Sequence, residues 1–335
     1  MRKACYFFLA AILTGATILS LTACGKGAKA SELAPVTLNE VAHSIFYAPQ
    51  YSAIELGYFE DEGINLTLVN GAGADKVMTA LISGDADIGF MGSEASIYTY
   101  ANGSKDYAVN FAQLTQRAGN FLVGREPQPD FKWTDLKEKK VLGGRAGGMP
   151  QMVFEYILKK NGIDPATDLT IDQSINFGLT AAAFTSNDAD YTVEFEPFAT
   201  GLEKEGNGHV VASLGVDSGY IPYTAYSAKK SYMEKNPKII QKFTNAIQKG
   251  LEYVNSHSSE EIAKVIQPQF KETDVATIAA IIERYKAQDT WKKDTVFEKE
   301  SFELLENILE EAGQLKERVP YETLVTTTYS EKAAK

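Results

Sequence analysis

A chain of 335 residues, 44% hydrophobic and 11% aromatic, carries enough apolar material for two globular cores, which excludes a disordered or low-complexity polypeptide. Its formal charge of −11 argues against nucleic acid or an anionic membrane surface as a partner. Two cysteines and three scattered histidines supply neither a disulfide framework nor metal-ligand spacing.

In chain order, Arg2 and Lys3 precede the apolar run ACYFFLAAILTGATILSL, which leads into Leu21-Thr22-Ala23-Cys24. A basic start, an apolar stretch and small residues predict a secretory signal over 1–23. The run also approaches the roughly 20 residues of a membrane span, so an uncleaved anchor is the alternative. LTAC resembles the lipobox of bacterial lipoproteins, in which the cysteine, here Cys24, becomes the lipid-modified N-terminus. Loss of Arg2 and Lys3 takes the charge to −13 and leaves Cys24 as the one cysteine. Several lipid chains hold a protein firmly at the membrane where one holds it weakly. Residues 24–35 are small and polar, the composition of a flexible tether.

From there strand and helix patterns alternate: VTLNEV, a helix near 49–57, INLTLV, a helix over 75–83, ADIGFMG and a helix from Ser93. Apolar AVNFAQLT and GNFLVGR follow, and a second unit repeats the rhythm with KKVLGG, a helix over 150–160, DLTIDQSI, a helix near 178–185, DYTVEFEP and HVVASLG. This alternation predicts α/β layers on largely parallel sheets. PYTAYSAKK returns to the style of the first half. The C-terminal third is helical, with Ile239, Ile240, Phe243, Ile247, Leu251 and Val254 forming one apolar stripe behind an Asn236 cap and Pro237. Thr273 is the expected cap of the next helix, and a third ends at Gly313.

In open α/β sheets ligands sit beyond the carboxyl ends of the strands. Four junctions there stand out: Ser44, Phe46, Tyr47 and Tyr51 after the first strand; the small-residue loop around Gly73; Ser93 and Glu94 after Gly92; and GGRAGGMP, with Arg145, Gly147 and Gly148 before a helix. Glycines let backbone N–H groups approach a ligand, and helix N-termini favour anions. Each loop serves equally as a tight turn, and Arg145 equally as a structural ion-pair partner. Glu194 and Glu196, two apart in a strand run with apolar flanks, can accept hydrogen bonds from an ammonium group or an amino-heterocycle. There is no Walker or dinucleotide spacing, so no cofactor is expected. Nor is there a nucleophile elbow, and His43 reads as a hydrogen-bonded strand end.

FYAPQYSAIELGYFEDEGINLTLV, GADKVMTALISGDADIGFMG, DLKEKKVLGGRAGGMPQMVFEYILKKNGIDP and DADYTVEFEPFAT, in that order, resemble the solute-binding proteins of ABC importers in the nitrate, sulfonate, taurine and thiamine-precursor group. The likeness spans about residues 36–255. It implies a two-lobed α/β fold of the type II periplasmic-binding-protein kind, with a ligand cleft between lobes. Lobe I would comprise 36–118 with 225–330 and lobe II 119–224, with crossovers near 117–124 and 218–226. It also implies a monomer tethered through Cys24 outside the cell membrane, with a permease and an ATPase as partners. The ligand implied is an aminopyrimidine precursor of thiamine or a similar heterocycle, with taurine, an alkanesulfonate or nitrate as the alternative. On this reading the three rings of the opening loop face the solute; core packing is the rival role, and at least one of the three is expected in the core. More distantly the chain resembles the enzymes that make the thiamine pyrimidine, which use a histidine in the first loop and a cysteine-rich cluster. Tyr47 stands at the histidine's place and no cysteine follows Cys24, which sets the enzyme reading behind.

Overall fold

The computed structural model describes residues 33–144, 146–175 and 178–335; the signal, Cys24, most of the tether and Arg145 lie outside the described residues. Two five-stranded mixed sheets organise the chain. In the first are β1 (Ala34–Glu40), β2 (Ile64–Asn70), β3 (Ile88–Met91) and β4 (Ala108–Thr115). The chain then builds the second from β5 (Asn120–Gly124), β6 (Lys140–Leu142), β7 (Thr170–Asp172), β8 (Tyr191–Phe195) and β9 (His209–Ser213). It returns to the first with β10 (Thr224–Lys229). The orders are β2-β1-β3-β10-β4 and β7-β6-β8-β5-β9, so one antiparallel strand is inserted at the corresponding place in each sheet.

The helices follow the apolar periodicity. In the first half they are α1 (Ala48–Glu55), α2 (Tyr58–Asp61), α3 (Ala74–Ser83) and α4 (Glu94–Ala101). Then come α5 (Met149–Lys160), α6 (Thr180–Ser186), α7 (Phe198–Lys204), α8 (Leu214–Ser218) and α9 (Lys230–Lys235). The C-terminal third holds α10 (Pro237–Ser256), α11 (Ser259–Ile266), α12 (Val275–Ala287) and α13 (Lys299–Glu311). Among the described residues no helix is long and apolar enough to cross a membrane. Two expected caps differ. Asn236 precedes α10 without a capping side-chain bond, its amide turned back to Tyr232 O at 3.1 Å. Asp274, not Thr273, caps α12, because its carboxylate accepts from Thr277 N at 2.9 Å.

The chain passes between the sheets twice, over residues 116–119 and 214–223. Both passages are shifted from the sequence expectation, because residues 120–124 are already strand β5 in the second sheet. The passages touch: a Cβ on Gly215 would lie 2.4 Å from Ala118 O. α12 and the turn after it hold the first passage, with Tyr285 Oη donating to Gly119 O at 3.1 Å and Gln288 Nε2 to Ala118 O at 3.0 Å. These bonds satisfy carbonyls that no strand partner reaches.

α10 buries Ile240, Phe243, Ile247, Leu251 and Val254, with Ile239 at the margin. It approaches α1 so closely that a Cβ on Gly250 would lie 2.2 Å from Pro49 O. Gly250→Ala should therefore destabilise the protein by about 1–3 kcal/mol, read as a lower urea midpoint at unchanged m. An unaltered midpoint would contradict this contact.

Candidate functional site

Parallel pairing makes the carboxyl ends of β1 and β3 in the first sheet, and of β6 and β8 in the second, lie on the edges joined by the two passages. The loops after those strands converge there. After β1, Ser44 caps a 3-10 turn and sends its hydroxyl to Glu196 O, just past β8, at 3.1 Å, a hydrogen bond from one sheet to the other. Tyr98 of α4 likewise reaches Met152 Sδ of α5 at 3.5 Å.

Phe46 is fully buried at this junction, with ring centroids at 5.7 Å from Tyr223, 6.0 Å from Phe195 and 5.3 Å from Tyr285. A Cβ on Gly119 would fall 2.6 Å from its ring, so the first passage runs directly against it. Tyr47 stands edge-on to Phe90 at 4.5 Å. Tyr51 is fully buried, its hydroxyl donating to Glu40 Oε2 at 2.8 Å and accepting from Ser44 N at 3.3 Å. His43, 2.8 Å from Glu40 Oε1, holds its proton more tightly than usual because of that bond.

Glu94 enters α4 almost entirely buried, and its Oε2 has no hydrogen-bond partner among the described residues. The carboxyl folds back over Gly92, where a Cβ would lie 2.1 Å from Oε2, so a side chain there would displace the carboxyl. Burial pushes it up to about 7, against a hydrogen bond from its own backbone N–H. Burial also raises Tyr47, Tyr98 and Tyr223, and the charge of Glu94 adds to each; Ser93, next to Glu94, donates to Pro222 O, next to Tyr223, at 2.7 Å. Tyr223 in turn donates to Asn120 Oδ1 at 2.8 Å, while Asn120 Nδ2 is buried without a partner among the described residues. A carboxyl oxygen and an amide N–H, both unsatisfied, thus lie around Tyr47 and Tyr223 where the sheets meet.

The family described as "NMT1/THI5 like" matches residues 45–261, about two thirds of the chain. The chain belongs to this family. It is 46% identical over 300 residues to YtlA of Bacillus subtilis (strain 168), which carries the name of a binding protein, covering 90% of each. It is 25% identical over 229 residues to the 4-amino-5-hydroxymethyl-2-methylpyrimidine phosphate synthase THI11 of Saccharomyces cerevisiae, covering 62% of this chain and 63% of that one. Among solved structures, the alkanesulfonate-binding protein SsuA from Xanthomonas axonopodis pv. citri bound to MOPS superposes with a TM-score of 0.70 at 16% identity, over 89% of this chain and 100% of that one. The fold is that of the periplasmic binding proteins. With far higher identity and coverage toward YtlA than toward the synthase, this family member sides with the binding proteins and not with the enzymes.

Within this fold the sequence-chosen residues separate. All three opening rings are buried where at least one was expected to be: neighbouring rings pack Phe46 and Tyr47, and Phe270 and Glu40 occupy the face and hydroxyl of Tyr51. Ser93 donates to Pro222 O at 2.7 Å and ties α4 to the second passage. Glu196 is not free for a ligand: Thr200 N and Oγ1 each donate to it at 2.9 Å, and Arg284 Nη1 at 2.6 Å. Glu194 accepts from Thr192 at 2.6 Å and Thr180 at 3.0 Å, and burial pushes it up to about 7. Gly73 opens α3 with its N–H on Val41 O at 3.0 Å, and Gly147 turns into α5 with its N–H on Gln151 Oε1 at 2.9 Å, ahead of the helix cap Gly148. Asn120 and Tyr223 were missed; the signal available was a polar side chain opening an apolar strand and a tyrosine just before the return strand. Among the described residues no group of His, Cys, Asp and Glu could hold a metal ion.

Two carboxyls that bind protons more tightly folded than unfolded make stability fall as pH rises between the ordinary value of 4.5 and about 7, then level off. Each contributes up to about 2–3 kcal/mol across that window. His43 acts in the same direction, so the difference between proteins isolates Glu94. Urea unfolding at pH 5 and pH 7.5 should show a smaller loss for Glu94→Gln than for the unaltered chain. Equal losses would remove Glu94 as a titrating group.

Proposed function

We propose that this protein is the extracytoplasmic solute receptor of an ABC importer, lipid-anchored through Cys24, which closes its two lobes on a small organic solute and delivers it to the permease. The observation that carries this reading is the pair of opposed strand edges enclosing Tyr47, Tyr223, Glu94 and Asn120, with polar atoms left unsatisfied inside. Buried polar groups find partners in finished proteins. Glu94 Oε2, Asn120 Nδ2 and, on the first passage, Arg117 Nε lack them among the described residues, which supports a ligand site at the junction. The binding-protein name of YtlA and the SsuA-like fold support the same class.

The solute favoured is an amino-substituted N-heterocycle of the thiamine-pyrimidine kind. Aromatic rings suit a planar solute, and the kinship with pyrimidine phosphate synthases agrees. A sulfonate or nitrate would meet the Glu94 charge; Arg284 is engaged with Glu196 and Glu203, and Arg117 gives Nη1 to Gly215 O while its Nε is buried without a partner among the described residues. The bound sulfonate MOPS in SsuA supports the second reading, with Arg145 as its cation. Lobe closure would be biased by contacts to both lobes.

A thermal-shift panel on the ligand-stripped chain from Gly25 tests this with thiamine, its aminopyrimidine precursors, taurine, alkanesulfonates and nitrate. A solute at 100 times its Kd adds about 2.7 kcal/mol, a rise of roughly 5 °C or more. A rise with an aminopyrimidine is expected. A rise with sulfonates alone would transfer the site to the anion class.

A further inference from the structure

We propose that Glu94 and Asn120 are the specificity pair of the junction, selecting a solute that gives an N–H to the Glu94 carboxylate and accepts one from the Asn120 amide. The inference rests on the receptor reading and narrows it to neutral or cationic amino-heterocycles. An aminopyrimidine carries both an amino N–H and ring-nitrogen lone pairs; a sulfonate or nitrate carries acceptors alone.

Two atoms carry the assignment. Glu94 Oε2 and Asn120 Nδ2 are buried without partners, in side chains 3% and 0% exposed. A buried polar atom without a protein partner costs free energy until something completes the bond. Their chemistry is complementary, one an acceptor when ionised and the other a donor. The second passage links them: Ser93, next to Glu94, donates to Pro222 O at 2.7 Å, and Tyr223, next to Pro222, donates to Asn120 Oδ1 at 2.8 Å. They also come from opposite sides, Glu94 following β3 of the first sheet and Asn120 opening β5 of the second. A solute bonded to both bridges the lobes, so the groups that recognise it also hold them together.

The two ligand classes move protons in opposite directions. A solute donating N–H needs Glu94 ionised, so binding near pH 7 expels a proton and strengthens as pH rises toward a plateau. An anion needs Glu94 protonated, so binding takes a proton up and strengthens as pH falls. The titratable groups facing Glu94 are Tyr98 on its own helix, Tyr47 after β1 and Tyr223 on the second passage, all held neutral by burial. Glu194 titrates in the same range and receives its own variant.

The experiment is calorimetric titration at pH 7, in two buffers of different ionisation heat. It uses the chain from Gly25, which contains the whole compact unit Leu33–Lys335. The probes are 4-amino-5-hydroxymethyl-2-methylpyrimidine, taurine and the rest of the thermal-shift panel. The pyrimidine is expected to bind with net proton release. Glu94→Gln should weaken it at least about tenfold and abolish the Glu94 share of that release, while Asn120→Ala weakens it with release retained. Unchanged affinity and release in Glu94→Gln, or release lost in Glu194→Gln alone, overturns the pair and leaves the receptor standing. Taurine binding with proton uptake overturns the ligand class. Silence of the folded wild type toward every solute overturns the pair and the ligand class and leaves the receptor class standing.

Discussion

Phe46 packs against the α-carbon of Gly119, where no side chain could fit. The rest of the arrangement depends on that contact. It fixes the loop after β1 to the first passage between the sheets, and the same ring meets Phe195 beyond the passage and Tyr285 of α12. α12 then supplies hydrogen bonds to the passage's carbonyls, so a segment of four residues is held from both sides. Such a segment can bend only by small backbone changes, which suits a hinge more than a linker.

Around this apolar pivot lie the polar groups that the fold leaves incomplete. Most buried charge near the junction is neutralised: Glu196 by Arg284, and Glu40 through Tyr51, Gln50 and His43. Glu94 has no such company, and Gly92 provides the space into which it folds. A side chain kept at this cost, beside rings and opposite an unsatisfied amide, makes sense when a third party completes it. On the proposed reading, the gap between its usual ionisation and the raised one would convert solute binding into proton movement.

Much of the architecture was legible because strands and helices here obey their periods. AVNFAQLT coincides with β4, and the α10 stripe is the buried face of that helix. The site was less legible. Phe46 and Tyr51 look in sequence like any loop aromatics; what buries them comes from Tyr223, Phe270 and Tyr285, far along the chain. Glu196 carried the same chemical promise as Glu194 until Arg284, 88 residues on, claimed it. Asn120 gave little sign because its value lies in a bond it does not make, which no local pattern records.

The most direct measurement of the central claim is a crystal structure of the chain with 4-amino-5-hydroxymethyl-2-methylpyrimidine. The account predicts the ring between the sheets beside Tyr47 and Tyr223, an N–H of the ligand on Glu94 Oε2, and a ligand acceptor on Asn120 Nδ2. A ligand seated elsewhere, or one between the sheets that leaves Glu94 and Asn120 unbonded, would contradict it.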